Sequence, residues 1–436
     1  MDKLRVAVFL ENSKPSEGGG HAYYQTIVGA IDRHSFPTDI ELLYLNVYSN
    51  ELAELQLRKR VIDVKKTFTG AIAFYTLNLA YRVFHRLLKS DFKSLLETIS
   101  KGIDAINNQA ALRYIKKENI HLVYYLKPQE NVINYPMIIT HWDVGHKSMY
   151  PFPEVAWDGN YKKREAYYQK ILTRAFLILC ESNAGAKELQ YYYPVNLQKV
   201  KVLPIFGGDI LKCQVSKEEQ IKILDEYRLV RDNFYIYPAQ FWSHKNHSTL
   251  IHAFHLLLKD KRNKAIRLVL CGSDQGNLTF IKNLIDTLGL NDNILLPGFV
   301  SNQHLYALYK NAIALVMPTF LGPTNIPLIE AAHLECAILC SDFDGHREIL
   351  ESNALYFDPS SASTINRCLA EMLNPEVREQ LATAAFRHIN KSSFQVERSL
   401  PLLDRFLQEI KPIREAWGMN FKILFAFAKI GMLSIN

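Results

Sequence analysis

Met317-Pro318-Thr319-Phe320-Leu321-Gly322-Pro323-Thr324-Asn325-Ile326-Pro327-Leu328-Ile329-Glu330-Ala331-Ala332 reads as the end of a strand, a turn-rich loop and the start of a helix. The apolar run Ala314–Met317 supplies the strand. Pro327 fits the first helical turn, where a missing N–H costs nothing. The Gly/Pro/Thr/Asn loop before it turns backbone N–H groups toward an anion, although Pro323 contributes none. Glu330 falls one turn inside the helix, where a carboxylate can accept from two vicinal hydroxyls such as those of a ribose. A first-turn glutamate stabilised by the helix dipole is the alternative.

Outward from this stretch the same grammar repeats. Upstream lie a strand Tyr235–Tyr237, a helix Ser248–Leu258, a strand Arg267–Cys271, a helix Asn277–Leu288, a strand Ile294–Leu296 and a helix Asn302–Asn311. Downstream come a helix Pro327–Cys336 and a strand Ala337–Ser341. Short β-branched runs alternating with helices predict parallel sheets joined by crossover helices. The first half adds strands at Arg5–Leu10, Ile40–Tyr48, Leu122–Tyr125, Met137–Thr140, Phe176–Cys180 and Val200–Leu203, with a long helical region from Glu51 to Lys117. The tail after Phe394 reads as helical, punctuated by Pro401 and Pro412. This predicts domains over residues 1–206 and 207–396 and a helical segment over 397–436, a plausible division for 436 residues.

Three further loops follow strands and carry polar chemistry. Gly18-Gly19-Gly20 precedes the helix His21–Ile31 and lets backbone approach an anion or sugar, but G-x-G-x-x-G is absent, which disfavours a dinucleotide site. Thr140-His141-Trp142-Asp143-Val144-Gly145-His146 should sit at a sheet's carboxyl edge, as the polar wall of a sugar site or as ordinary loop packing. His141, Asp143 and His146 lack a helical H-x-x-x-H register, so a metal is not expected there. Tyr237 to His247 places Lys245 at the mouth of a helix, where its ammonium and the helix dipole could meet a pyrophosphate; a solvated surface lysine is the plainer alternative.

Composition sets the frame. With 48% apolar and 22% charged residues the chain can bury two cores, and a net charge of +7 suits anionic ligands without indicating nucleic acid. Six scattered cysteines without C-x-x-C fit reduced thiols, and no apolar run reaches the ~18 residues of a spanning helix. These features predict a cytoplasmic protein. Lys65, Lys66, Arg82, Arg86 and Lys89, interleaved with apolar residues, suggest contact with the inner face of an anionic membrane; an amphipathic core helix explains them equally.

Together, in this order and spacing, the four loops resemble the retaining glycosyltransferases of the glycogen-synthase-like superfamily, family 4, over nearly the whole chain. The most specific stretch is Tyr237 to Pro359, with LVLCGSD, LPGFVSNQHLYALYKNA and SDFDGHREILESNALYFDP. GPTNIPLIEA is similar to the branch of mannosyl- and rhamnosyl-type transferases that build surface polysaccharides. The resemblance implies the α/β GT-B fold: two facing Rossmann-like domains and a C-terminal helix crossing back to the first. It implies transfer of a hexose-class sugar from a nucleotide-diphosphate sugar to a hydroxyl of a glycan or lipid-linked glycan, with retention and without a metal or other cofactor.

By the same resemblance, Gly18, Gly19 and Gly20 would lie beside the donor phosphates and acceptor. His141 would face the donor sugar, and Lys245, flanked by Gln240 and Asn246, would bind the diphosphate. The backbone of Gly298, Phe299 and Val300 would meet the base. Thr324, Asn325 and Ile326 would contact sugar and phosphate, and Glu330 would hold the ribose. His141, Lys245 and Glu330 form the expected catalytic set. Two positions depart from the family: Gln240 replaces a common basic residue, and Gly322 replaces a first glutamate. They leave open a catalytically impaired sugar-binding or scaffold protein; a GT-B phosphorylase or epimerase is the enzymatic rival. Asp342-Phe343-Asp344 has D-x-D form but follows a strand late in the second domain, where a metal role is not expected.

Overall fold

The computed structural model describes residues 3–11, 13, 19–47, 56–64, 108–128 and 132–431, with side chains up to residue 416. Gly18 and the basic stretch Lys65–Lys89 lie outside the described residues. Two parallel sheets organise the chain. The first contains β1 (Leu4–Leu10), β2 (Ile40–Asn46), β3 (Val61–Asp63), β4 (Leu122–Tyr125), β5 (Met137–His141), β6 (Ala175–Cys180) and β7 (Val200–Val202), ordered β3-β2-β1-β4-β5-β6-β7. The second contains β8 (Phe234–Pro238), β9 (Arg267–Cys271), β10 (Ile294–Gly298), β11 (Ala314–Met317), β12 (Ile338–Ser341) and β13 (Leu355–Phe357), ordered β10-β9-β8-β11-β12-β13. Both orders reverse direction beside a central strand, between β1 and β4 and between β8 and β11. Open α/β sheets bind ligands at the carboxyl ends of such points.

The strands are apolar on both faces because helices cover both. In β1, Val6, Val8 and Leu10 pack in one core with Tyr24 and Ile27, while Ala7 and Phe9 join a second core with Ile115 and Tyr125. Burying each of these larger side chains contributes roughly 1.5–3 kcal/mol. None of the six cysteines is in a disulfide, and all but Cys213 are buried. Among the described residues no helix is long and apolar enough to cross a membrane.

Three features differ from the expectation. Val61–Asp63 is a strand inside the region read as helical, paired with β2 from Tyr44↔Val61 to Asn46↔Asp63. Asn46 fixes it by donating from Nδ2 to Asp63 Oδ1 at 3.0 Å, a tertiary contact that overrides weak local preference. The strand β13 was not anticipated at all. The tail is one helix, Val396–Gly431, running through Pro401 and Pro412 instead of breaking there. Contacts with the first domain hold it. Ser399 Oγ donates to Pro204 O at 2.7 Å, His34 pairs with Asp404 at 2.9 Å, and Lys411 pairs with Asp39 at 3.0 Å. The helix therefore returns from the second domain to the first.

Candidate active site

The loops after the carboxyl ends of β5, β6, β8, β9, β10 and β11, with the start of the helix Gly19–Arg33, enclose a cleft of about 900 Å³. Both domains line it: Gly20, Trp142, Glu181 and their neighbours face Lys245, Thr324, Asn325 and Glu330.

A relay of hydrogen bonds fixes the cationic centre. His346 Nδ1–H donates to Ser341 O at 2.8 Å, so Nε2 is left to accept from Asn325 Nδ2 at 2.9 Å. Burial pushes the His346 imidazole down to about 4, which keeps that tautomer neutral. Asn325 Nδ2 also reaches Gly322 O at 3.3 Å, and its Oδ1 accepts from Lys245 Nζ at 3.3 Å. The Lys245 ammonium is thereby held beside Asn325, the residue that begins the helix Ile326–His333. Burial lowers its pKa to about 8. A half-buried cation short of acceptors, at a helix N-terminus, is suited to an anionic ligand.

Glu330 lies one turn further on, 7% exposed, and its Oε1 accepts from Gly208 N–H at 3.3 Å. Burial pushes its carboxyl up to about 7 despite that donor. A β-carbon on Gly208 would stand 2.8 Å from Oε1, so only glycine lets the backbone approach this closely. Gly322 has φ +115°, and a β-carbon there would meet Asn325 Nδ2 at 3.0 Å. The loop conformation itself requires glycine at the position where the resemblance expects glutamate.

Opposite these groups the first domain contributes acids. Asp143 pairs with Arg164, which together with the Gly145 N–H holds its carboxyl below the usual range against the effect of burial. Glu154 accepts from His244 across the domain boundary. Glu181, at the end of β6, accepts at Oε2 from Thr324 Oγ1 at 2.6 Å, and burial pushes it up to about 8.

The structure brings Gly19, Gly20, Gln240, Lys245, Phe299, Val300, Thr324, Asn325, Ile326 and Glu330 into the cleft lining. Three expected residues are placed otherwise. His141 is fully buried at the end of β5 against Tyr168, with both ring nitrogens unpartnered among the described residues and its pKa lowered to about 4 by burial. Its neighbours Trp142 and Asp143 face the cleft instead. Asn246 ties segments together: Nδ2 donates to Pro318 O and Pro359 O at 2.9 and 2.7 Å, and Oδ1 accepts from Thr249. Gly298 lies behind the lining, where its carbonyl accepts from Gly272 N–H. Asp342 forms a two-pronged pair with Arg347, and neither it nor Asp344 lines the cleft. Sequence reasoning missed Arg164, Glu181 and His346, and within the Thr140–His146 loop it singled out His141 where Trp142 lines the cleft. Glu181 directly precedes Ser182, which caps the next helix, and that local signal concealed it.

Residues 219–388 match the family model described as "Glycosyl transferases group 1". This segment is a group 1 glycosyltransferase domain. The relatives of the chain include the "O-antigen chain mannosyltransferase B" of Escherichia coli, 23% identical over 54% of this chain and 62% of the relative. The "O-antigen chain mannosyltransferase RfbU" of Salmonella typhimurium is 28% identical over 37% of this chain and 42% of the relative. The "Serotype-specific mannosyltransferase WbdA" of Escherichia coli is 25% identical over 49% of this chain, and only 26% of its own length is matched. The chain thus spans less than two thirds of the length of these relatives. Among solved structures, a glycosyltransferase from Rickettsia africae superposes with TM-score 0.66 at 15% identity, covering 94% of this chain and 99% of the other. Anabaena HepE, solved with UDP and glucose, superposes with TM-score 0.65 at 14% identity, covering 93% and 99%. This likeness establishes the GT-B fold for a chain whose second sheet lies within its glycosyltransferase domain.

Proposed function

We propose that the protein is a retaining glycosyltransferase that moves a hexose-class sugar, of mannose or rhamnose type, from a nucleotide-diphosphate sugar to a hydroxyl of a glycan or lipid-linked glycan. The observation that carries this reading is the placement of Lys245 at the start of the helix Ile326–His333, with the buried Glu330 one turn inside it, in a cleft between two domains. The diphosphate would lie on the Lys245 ammonium and the helix N-terminus, with the ribose on Glu330. The family match and the mannosyltransferase relatives support the choice of reaction and sugar class.

In the step itself, the bond from the sugar anomeric carbon to the phosphate oxygen breaks and the acceptor oxygen bonds to that carbon from the same face. The departing phosphate oxygen takes the hydroxyl proton. Lys245 and the helix terminus stabilise the charge that develops on the diphosphate, a role for fixed electrostatics. His141 serves as packing beneath Trp142 and Asp143, not as a contact to the sugar.

The test is turnover of GDP-mannose, dTDP-rhamnose and UDP-glucose by purified protein with glycan and lipid-linked acceptors. The expected product keeps the donor's anomeric configuration by proton NMR. An inverted product would remove the retaining mechanism. Sugar isomerisation without acceptor would favour an epimerase, and the absence of turnover with every pair would favour a binding protein.

A further inference from the structure

Among the described residues the cleft lining contains five carboxylates: Asp143, Glu154, Glu181, Asp209 and Glu330. Asp143 has Arg164, Glu154 has His244, Asp209 has Lys212 and Glu330 has the Gly208 N–H. Among the described residues Glu181 has neither a cation nor a backbone N–H on its carboxyl. Its hydrogen-bond partner among the described residues is the Thr324 hydroxyl on Oε2, and Oε1 has none there. The residue is 7% exposed, so this is a buried carboxyl with one oxygen left for the cleft.

Resting on the glycosyltransferase reading, we propose that Glu181 is a sugar-specificity residue, which in its protonated form donates a hydrogen bond from Oε1 to a hydroxyl oxygen of the transferred sugar. Its position follows from the order of groups along the opposite wall. Glu330 is one turn inside the helix, Asn325 and Lys245 stand at its N-terminus, and Thr324 precedes them. If ribose and diphosphate occupy the first two stations, the sugar reaches the third, where Thr324 presents Glu181. The acid comes from the first domain, 143 residues away in the chain.

An uncompensated buried carboxyl is costly to ionise and so remains neutral near pH 7. Burial outweighs the Thr324 hydroxyl, whose hydrogen bond lowers the Glu181 pKa; Asp143 raises it further, and the Tyr23 hydroxyl and Cys180 thiol beside it are themselves raised by burial, so neither supplies a charge at neutral pH. A neutral acid also avoids repelling the adjacent diphosphate. As an acid it can donate to the sugar, which a carboxylate cannot.

The measurement is the sugar increment, the ratio of the Kd of a nucleoside diphosphate to that of its sugar, read by calorimetry with GDP and GDP-mannose and with UDP and UDP-glucose. In the wild type the increment should fall as pH rises through about 8. Glu181→Gln keeps a neutral donor and should keep the increment without that pH dependence. Glu181→Ala should lose roughly three- to tenfold of it, the worth of one uncharged hydrogen bond, while binding the bare diphosphate unchanged. Glu181→Gln should melt close to wild type, since its amide oxygen still accepts from the Thr324 hydroxyl, whereas Glu181→Ala should melt lower because it removes that partner and leaves a cavity. Equal increments in all three proteins, or the same pH profile in Glu181→Gln as in the wild type, would overturn the assignment alone. A wild type that binds neither nucleotide nor nucleotide sugar would overturn the proposed function and this assignment with it.

Discussion

Glu154 of the first domain grips His244 of the second with one carboxylate oxygen, 2.8 Å from the backbone N and 2.6 Å from ring Nδ1. The gripped residue immediately precedes Lys245, so the contact between domains also sets the position of the cation.

Burial works against the Glu154 charge, but the two His244 donors hold its carboxyl below the ordinary range. A group with a lowered folded pKa stabilises the fold above its unfolded pKa and loses that contribution as pH falls through the folded value. Glu154→Ala should therefore cost about 1.5–3 kcal/mol at pH 7, and the deficit should shrink below the carboxylate range. Urea melts at pH 7 and pH 3 check this. The donor KM should also rise, because Lys245 loses its neighbour's anchor; an unchanged KM would confine Glu154 to a structural role.

Lys245→Ala should weaken nucleoside-diphosphate binding by ~1.5–3 kcal/mol, the range for a charge-assisted hydrogen bond. In the wild type, affinity should decline as pH rises through about 8, where the free cleft releases the lysine proton. Lys245→Arg should abolish that decline, since arginine stays charged. Calorimetry across pH 6.5–9.5 with the bare diphosphate isolates this effect from Glu181.

Glu330→Gln should weaken ribonucleotide donors and have less effect on 2′-deoxyribose analogues. Equal losses for both would assign Glu330 to supporting Gly208 and not the ribose.

Gly322→Glu should lower activity and stability. The backbone at φ +115° resists any side chain, at a cost of about 1–3 kcal/mol, and the new β-carbon would press on Asn325 Nδ2 at 3.0 Å. Asn325→Ala should then reproduce part of the loss, by releasing Lys245 and His346 together. Higher turnover in Gly322→Glu would instead identify a decayed site.

The positions of most strands were legible because parallel strands buried on both faces leave short apolar runs, and loops after them carry glycine, proline and polar residues. Lys245 and Glu330 were legible for the same reason: each sits at a fixed offset from a helix start. What escaped depends on contacts distant in sequence. Val61–Asp63 is a strand because β2 offers it an edge, and Pro401 and Pro412 stay helical because the first domain holds the helix. Asn246 looked like a ligand neighbour, yet its amide is consumed by Pro318 and Pro359. Glu181 could not be paired with Thr324 without the fold that brings two domains together.

The chain leaves the first domain near Pro204 and returns near Ser399, and these two crossings are bonded to each other through Ser399 Oγ. Two crossings bonded at one place would act as one hinge pin, about which the second domain would swing more readily than slide along the first. Swinging would part the clasps that bridge the domains, among them Glu154 on His244, Glu348 on the N–H groups of Asn183 and Ala184, and Glu181 on the Thr324 hydroxyl. Nucleotide residence time would then be governed by how often these latches release, and substitutions there would change product escape without touching a phosphate.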